Sequence, residues 1–188
     1  MLRDFRIEDA CKAIRTFMEN FTMVSLAVST YDRWDWMKSI GLEAFDEIIV
    51  ACNGPIPARV PVPINLIVLA NRGYPLGAID GINRSIATCR FDWVVHIHGD
   101  VVMNDVAWII SLIGSAFNYD YVARRSPKGD YWMMDCFAVR RTAWRGLVDP
   151  APKVPPESSF VPTNVLEVEP SNHKKLPGFR AKAYSNRS

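Results

Sequence analysis

His98 and Asp100 flank Gly99 near the end of the segment Phe91-Asp-Trp-Val-Val-His-Ile-His-Gly-Asp-Val-Val-Met-Asn-Asp. Residues two apart in an extended chain point to the same side, so the imidazole and the carboxylate are expected to share one. A hard divalent cation such as Mn2+ or Mg2+ takes carboxylate oxygens together with the oxygens of a bound diphosphate. Gly99, with no side chain, leaves room for a diphosphate to approach the backbone closely. A buried strand that empties into an acidic tip is, in outline, a metal-diphosphate arrangement. His96 is expected to turn to the other face of the strand and to serve the core. Asp135 lies inside the apolar run Trp132-Met-Met-Asp-Cys-Phe-Ala-Val. A lone carboxylate there is costly unless it is used or paired, and Arg124 or Arg140 could pair with it.

These residues need a scaffold. Met23 to Ser29, Glu47 to Cys52, Ile64 to Ala70 and Asp92 to His98 read as strands, and the early ones are nearly continuous in apolar residues. Helical spacing is expected over 5–20, Trp34 to Ala44, Gly77 to Thr88 and Val106 to Phe117, with strand-like runs at Tyr119 to Arg124 and Trp132 to Arg140. Strands alternating with helices imply an α/β fold, a mostly parallel central sheet covered by helices on both faces. Such sheets place ligand sites at the carboxyl ends of their strands. Those ends read Thr30-Tyr31-Asp32, Asn53-Gly54, Asn71-Arg72-Gly73 and His98-Gly99-Asp100, all polar or glycine-containing. The chain reads as one domain over 1–188: the leading helix, a core over 23–145 and a Pro-rich tail over 146–188 that holds seven of the thirteen prolines. One strand is expected in the tail, at Val165 to Val168.

Composition excludes several classes. Of 188 residues, 49% are apolar and 22% charged, so wholesale disorder is not expected. A net charge of +2 is too mild to argue for a nucleic-acid partner. The longest nearly apolar run, Val106 to Phe117, is too short for a transmembrane segment, and no apolar signal-peptide core opens the chain. Cys11, Cys52, Cys89 and Cys136 are scattered and read as reduced thiols. A cytoplasmic protein is expected.

The ordered strand ends resemble those of the nucleotide-sugar glycosyltransferases of the GT-A fold. That family opens with a strand ending in a short polar segment, here Val24-Ser-Leu-Ala-Val-Ser-Thr-Tyr-Asp-Arg. Its second strand ends in an acidic or amide residue, here Asn53 followed by Gly54. An Asn-x-Gly then precedes a helix, here Asn71 to Ile82, with Ile79 where the family has Arg. A strand ending in Asp-x-Asp follows, here His98-Gly99-Asp100, with His98 in the place of the first aspartate. The resemblance spans 23–145. It implies that Thr30, Tyr31 and Asp32 line the base and ribose pocket, with Tyr31 stacking on the base. Asn53 would bond the base edge, Asp80 would face the ribose or sugar, and Arg72 or Arg84 would supply a cation to the diphosphate. Asp100 would bind Mn2+ or Mg2+, with His98 as a second ligand or sugar contact and His173 folding back as a further ligand. Asp135, then Asp130, would be the catalytic base. The implied partners are a UDP- or GDP-sugar donor and an acceptor that is a glycan, protein or lipid. Two other functions share the fold: nucleotidyl transfer, and sugar or partner binding without catalysis.

Overall fold

The structure, a computed structural model, describes residues 23–38, 40–60, 63–102, 113, 116, 118–125, 131–148, 159–167 and 174–175. The expected leading helix, most of the helix over 106–117, Asp130, His173 and most of the tail lie outside the described residues.

Strand β1 (Val24–Thr30) is buried along its whole length, as is β2 (Glu47–Cys52). This burial on both faces explains their unbroken apolar character. β3 (Ile64–Val68) is an edge strand and only partly covered. Helix α1 (Leu76–Thr88) leads into β4 (Trp93–His98), which is followed at once by the short β5 (Val101–Val102). β6 (Tyr121–Ala123), β7 (Cys136–Arg140), β8 (Val165–Glu167) and β9 (Lys174–Lys175) complete the described strands.

Seven strands form one sheet in the order β3, β2, β1, β4, β7, β6, β8, and β5 pairs separately with β9. β3, β2, β1 and β4 are mutually parallel, and β7 runs antiparallel to β4 and to β6. The tail strand β8 joins the far edge parallel to β6.

Two apolar layers hold the sheet. Ile79, Ile82 and Ile86 of α1 are buried against Ala27, Ile49 and Val94 on one face. Each buried isoleucine contributes roughly 1.5–3 kcal/mol relative to exposure. On the other face Leu26, Val28, Val50, Val95 and Ile97 meet Trp36, Ile40 and Phe45. The segment that supplies those three differs from the expected helix. It forms two 3-10 turns, Asp35–Lys38 and Leu42–Ala44, broken at Gly41, whose backbone is extended. Docking Trp36, Ile40 and Phe45 onto the sheet outweighs helical propensity in so short a stretch.

The strand expected over Trp132 to Arg140 begins only at Cys136. Before it the chain makes a local pairing, an Arg125–Trp132 bridge and a Met133 N–H donated to the Arg124 carbonyl at 2.9 Å. Among the described residues no helix is long and apolar enough to cross a membrane.

Candidate functional site

The chain leaves β1 toward β2 on one side and returns to place β4 on the other, so the connections leaving the paired carboxyl ends of β1 and β4 part to opposite sides. Open α/β sheets bind ligands at this switch point. Thr30, at the end of β1, is buried, and its hydroxyl donates to the Arg33 carbonyl at 2.6 Å while accepting the Arg33 N–H at 3.2 Å. The Thr30 side chain therefore builds the turn after β1. Gly99 packs directly on it, and its N–H donates to the Ser29 carbonyl at 2.8 Å. A Cβ at position 99 would lie 2.6 Å from the Thr30 Cβ and 2.8 Å from the Arg33 oxygen, so only glycine fits.

The tips of β1 and β2 are tied together. The Asn53 N–H donates to the Thr30 carbonyl at 3.2 Å, and the Trp34 indole N–H donates to the Pro55 carbonyl at 3.4 Å. The Cys52 thiol donates to the Tyr31 carbonyl at 3.4 Å and lies 3.5 Å from the Gly54 carbonyl. Burial pushes this thiol upward in pKa, so it stays protonated and can donate. Gly54 lies under Tyr31, where a Cβ would meet the ring's Cδ2 at 2.7 Å. The Tyr31 ring is left 38% exposed above this platform, and Asp32 is exposed beside it. Sequence reasoning missed Cys52 here; its place as the last residue of β2 was the available signal.

Asn53 is half-buried, with its amide against the α1 backbone at Gly77. Arg72 and Asp80 do not stand free as a cation and an anion. Arg72 Nη1 donates to both oxygens of Asp80, at 2.9 and 3.2 Å, and fastens the Asn71–Gly73 loop to the first turns of α1.

At the end of β4, His98 is half-buried and Asp100 is 9% exposed. The Asp100 carboxylate takes part in none of the ion pairs among the described residues. His96 does not turn away from His98. Their rings meet edge to face at 5.4 Å, because residues two apart share a face, and His96 packs on Phe137 at 5.1 Å. His96 is nonetheless a core residue. Burial, reinforced by His98 and partly countered by Asp135, holds its pKa well below the usual histidine range, so it is neutral.

Asp135 is beside this tip. Its carbonyl accepts the His98 N–H at 3.0 Å. Its carboxylate, 1% exposed, accepts from Arg124 Nη2 at 2.9 Å, and the Arg124 side chain is itself only 12% exposed. Arg124 is thus the arginine that answers the buried carboxylate; Arg140 instead pairs with Asp92. The adjacent Arg125 lies over the Trp132 ring at 4.3 Å and pairs with Glu167 at 3.5 Å. The tail also returns here. β9 pairs antiparallel with β5, Lys175 opposite Val101 and Lys174 opposite Val102, immediately past Asp100.

No protein-family model matches the sequence, and no curated protein matches it either. Solved structures do. HddC from Yersinia pseudotuberculosis aligns with a TM-score of 0.57 at 10% identity, over 86% of this chain and 98% of that one. A mannosyltransferase from Pyrobaculum calidifontis, in complex with GDP-Man and Mn2+, aligns at 0.49 and 11% identity over 73% of this chain. Glucosyl-3-phosphoglycerate synthase from Mycobacterium tuberculosis, in complex with Mg2+ and UDP, aligns at 0.49 and 14% identity over 70% of this chain. The chain spans 53% and 60% of the length of the last two proteins. At such identities the likeness is one of fold alone: a mostly parallel, mixed sheet with helices, shared with HddC.

Proposed function

We propose that the chain binds a nucleoside diphosphate sugar across the carboxyl ends of β1, β2 and β4 and transfers the sugar to an acceptor hydroxyl. One observation carries this reading. Asp100, 9% exposed as a residue, follows β4 at the switch point beside the close Gly99–Thr30 contact. A carboxylate placed next to so closely approachable a backbone suits a hard cation shared with diphosphate oxygens.

The donor set suits a hard divalent ion. Among the described residues no three acidic, His or Cys groups converge, so the protein supplies Asp100, with His98 two residues before it, and diphosphate oxygens supply the rest. Bound there, Mn2+ or Mg2+ would offset the charge that develops on the leaving diphosphate. The chain's own residues orient the donor. Tyr31 offers a ring face to the base, Asn53 and Asp32 stand at its edge and ribose, and the Arg72–Asp80 pair borders the sugar side.

A domain that binds the nucleotide sugar without transferring it is the second reading. Its support is that His98 replaces a carboxylate and that Asp135, the expected base, is engaged by Arg124.

Calorimetric titration with UDP- and GDP-sugars in the presence of MnCl2 tests the proposal. The chain is expected to bind at least one of them, and Asp100→Ala to lose the Mn2+-dependent part. No heat with any nucleoside diphosphate overturns it. Binding with no sugar transfer to any acceptor, or to water, selects the second reading.

A further inference from the structure

The ion pair Asp135–Arg124 is buried beside the carboxyl end of β4. Asp135 precedes β7 and is hydrogen-bonded through its carbonyl to His98, the last residue of β4. Arg124 follows β6, whose carboxyl end points the same way as that of β4. Neighbouring strands lie about 4.8 Å apart, so the pair borders the His98-Gly99-Asp100 tip. The other ion pairs formed by Arg90 and Arg140 lie at the opposite, amino end of β4.

A catalytic base must face the acceptor hydroxyl and accept its proton. The Asp135 carboxylate is 1% exposed, and one oxygen already accepts from a guanidinium at 2.9 Å. Its geometry suits a different task. A guanidinium presents its N–H donors in a rigid fork, and a carboxylate bonded to one arm fixes where the fork points. The long, flexible Arg124 side chain is thereby ordered by a bond within the chain itself.

Resting on the nucleotide-sugar reading, we propose that Asp135 is a positioning residue and that the Arg124 guanidinium it holds binds the donor's diphosphate, on the side of the tip away from Tyr31. Charge grows on that diphosphate as the sugar departs, and a fixed cation beside it favours departure.

The experiment compares binding of nucleoside diphosphates and monophosphates (UDP against UMP, GDP against GMP) with MnCl2 present. Removing one partner of a buried pair can unfold a protein, whereas replacing both with apolar residues is often tolerated, so the central variant is Arg124→Met with Asp135→Leu. Circular dichroism and the melting profile verify its fold. It is expected to bind monophosphates within threefold of the unaltered chain and diphosphates at least tenfold more weakly. Arg124→Lys should recover part of the loss. Asp135→Asn should raise KM for the donor and weaken diphosphate binding.

An unchanged ratio of diphosphate to monophosphate affinity overturns the proposal and leaves the pair a purely structural one. So does an Asp135→Asn variant that binds diphosphates normally yet loses turnover, the behaviour of a base. Absence of any nucleotide binding in the unaltered chain is a separate result, the failure of the nucleotide-site reading itself.

Discussion

Gly54 governs a side chain that is not its own. Its Cα lies so close under Tyr31 that an added methyl group would strike the carbonyl and the ring. Gly54→Ala should therefore displace the ring without touching any ligand directly. A base stacked on an aromatic ring contributes about 1–3 kcal/mol, so losing the platform should weaken nucleoside diphosphate binding about tenfold or more, measured by titration. Tyr31→Ala should match it, and Tyr31→Phe, which keeps the ring, should bind nearly as the unaltered chain does. Equal affinities in all four proteins would remove Tyr31 from the site.

At the scale of elements, Asn83 joins α1 to the loop after β7. Its amide donates to the Leu147 carbonyl at 2.8 Å and accepts the Leu147 N–H at 2.7 Å, a strand-like pairing made by one side chain. Asn83→Ala leaves both backbone groups without that partner and should cost about 2–3 kcal/mol in a denaturant titration. Asn83→Asp keeps the acceptor but sets a carboxylate oxygen against the Leu147 carbonyl, and should cost at least as much. This contact spans 64 residues, which explains its absence from the sequence reading. The strands were legible because burial on both faces leaves a continuous apolar run, as in Ile48-Ile-Val-Ala-Cys. The polar tips were legible because they interrupt those runs. Asp135's need for a cation could be read from its apolar neighbours, whereas the choice of Arg124 over Arg140 depends on how β6 and β7 pair. For His96 the two-residue period of a strand itself puts the ring on the face of His98 and not on the opposite one. For Arg72 and Asp80, eight residues apart across a loop and a helix start, spacing alone gave no pairing.

At the scale of the whole molecule, the amino ends of the strands hold closed charge networks among the described residues. Asp46 accepts the Val24 N–H, Asp92 holds Arg140, and Glu47 accepts from Ser25 Oγ at 2.7 Å and from the Arg90 N–H and Nε at 2.8 and 2.7 Å. Burial alone would raise the Glu47 carboxyl, but these three bonds outweigh it and hold its pKa below the ordinary 4.5. A carboxyl depressed on folding adds stability above its unfolded value and loses it as pH falls through the folded one. Glu47→Gln should therefore cost about 2 kcal/mol at neutral pH, a modest figure because Arg90 is 70% exposed and screened. The difference from the unaltered chain should shrink as the pH drops below 4.5, followed by denaturant midpoints across pH.

At the carboxyl ends the corner between β1 and β2 is stapled by contacts within the chain, through Asn53, Trp34, Cys52 and Gly54. Those contacts ask nothing of a ligand, so association has little disorder to remove there. The heat-capacity change on taking up a base should then correspond to the surface covered by the base itself, without the excess that marks a segment folding around its guest.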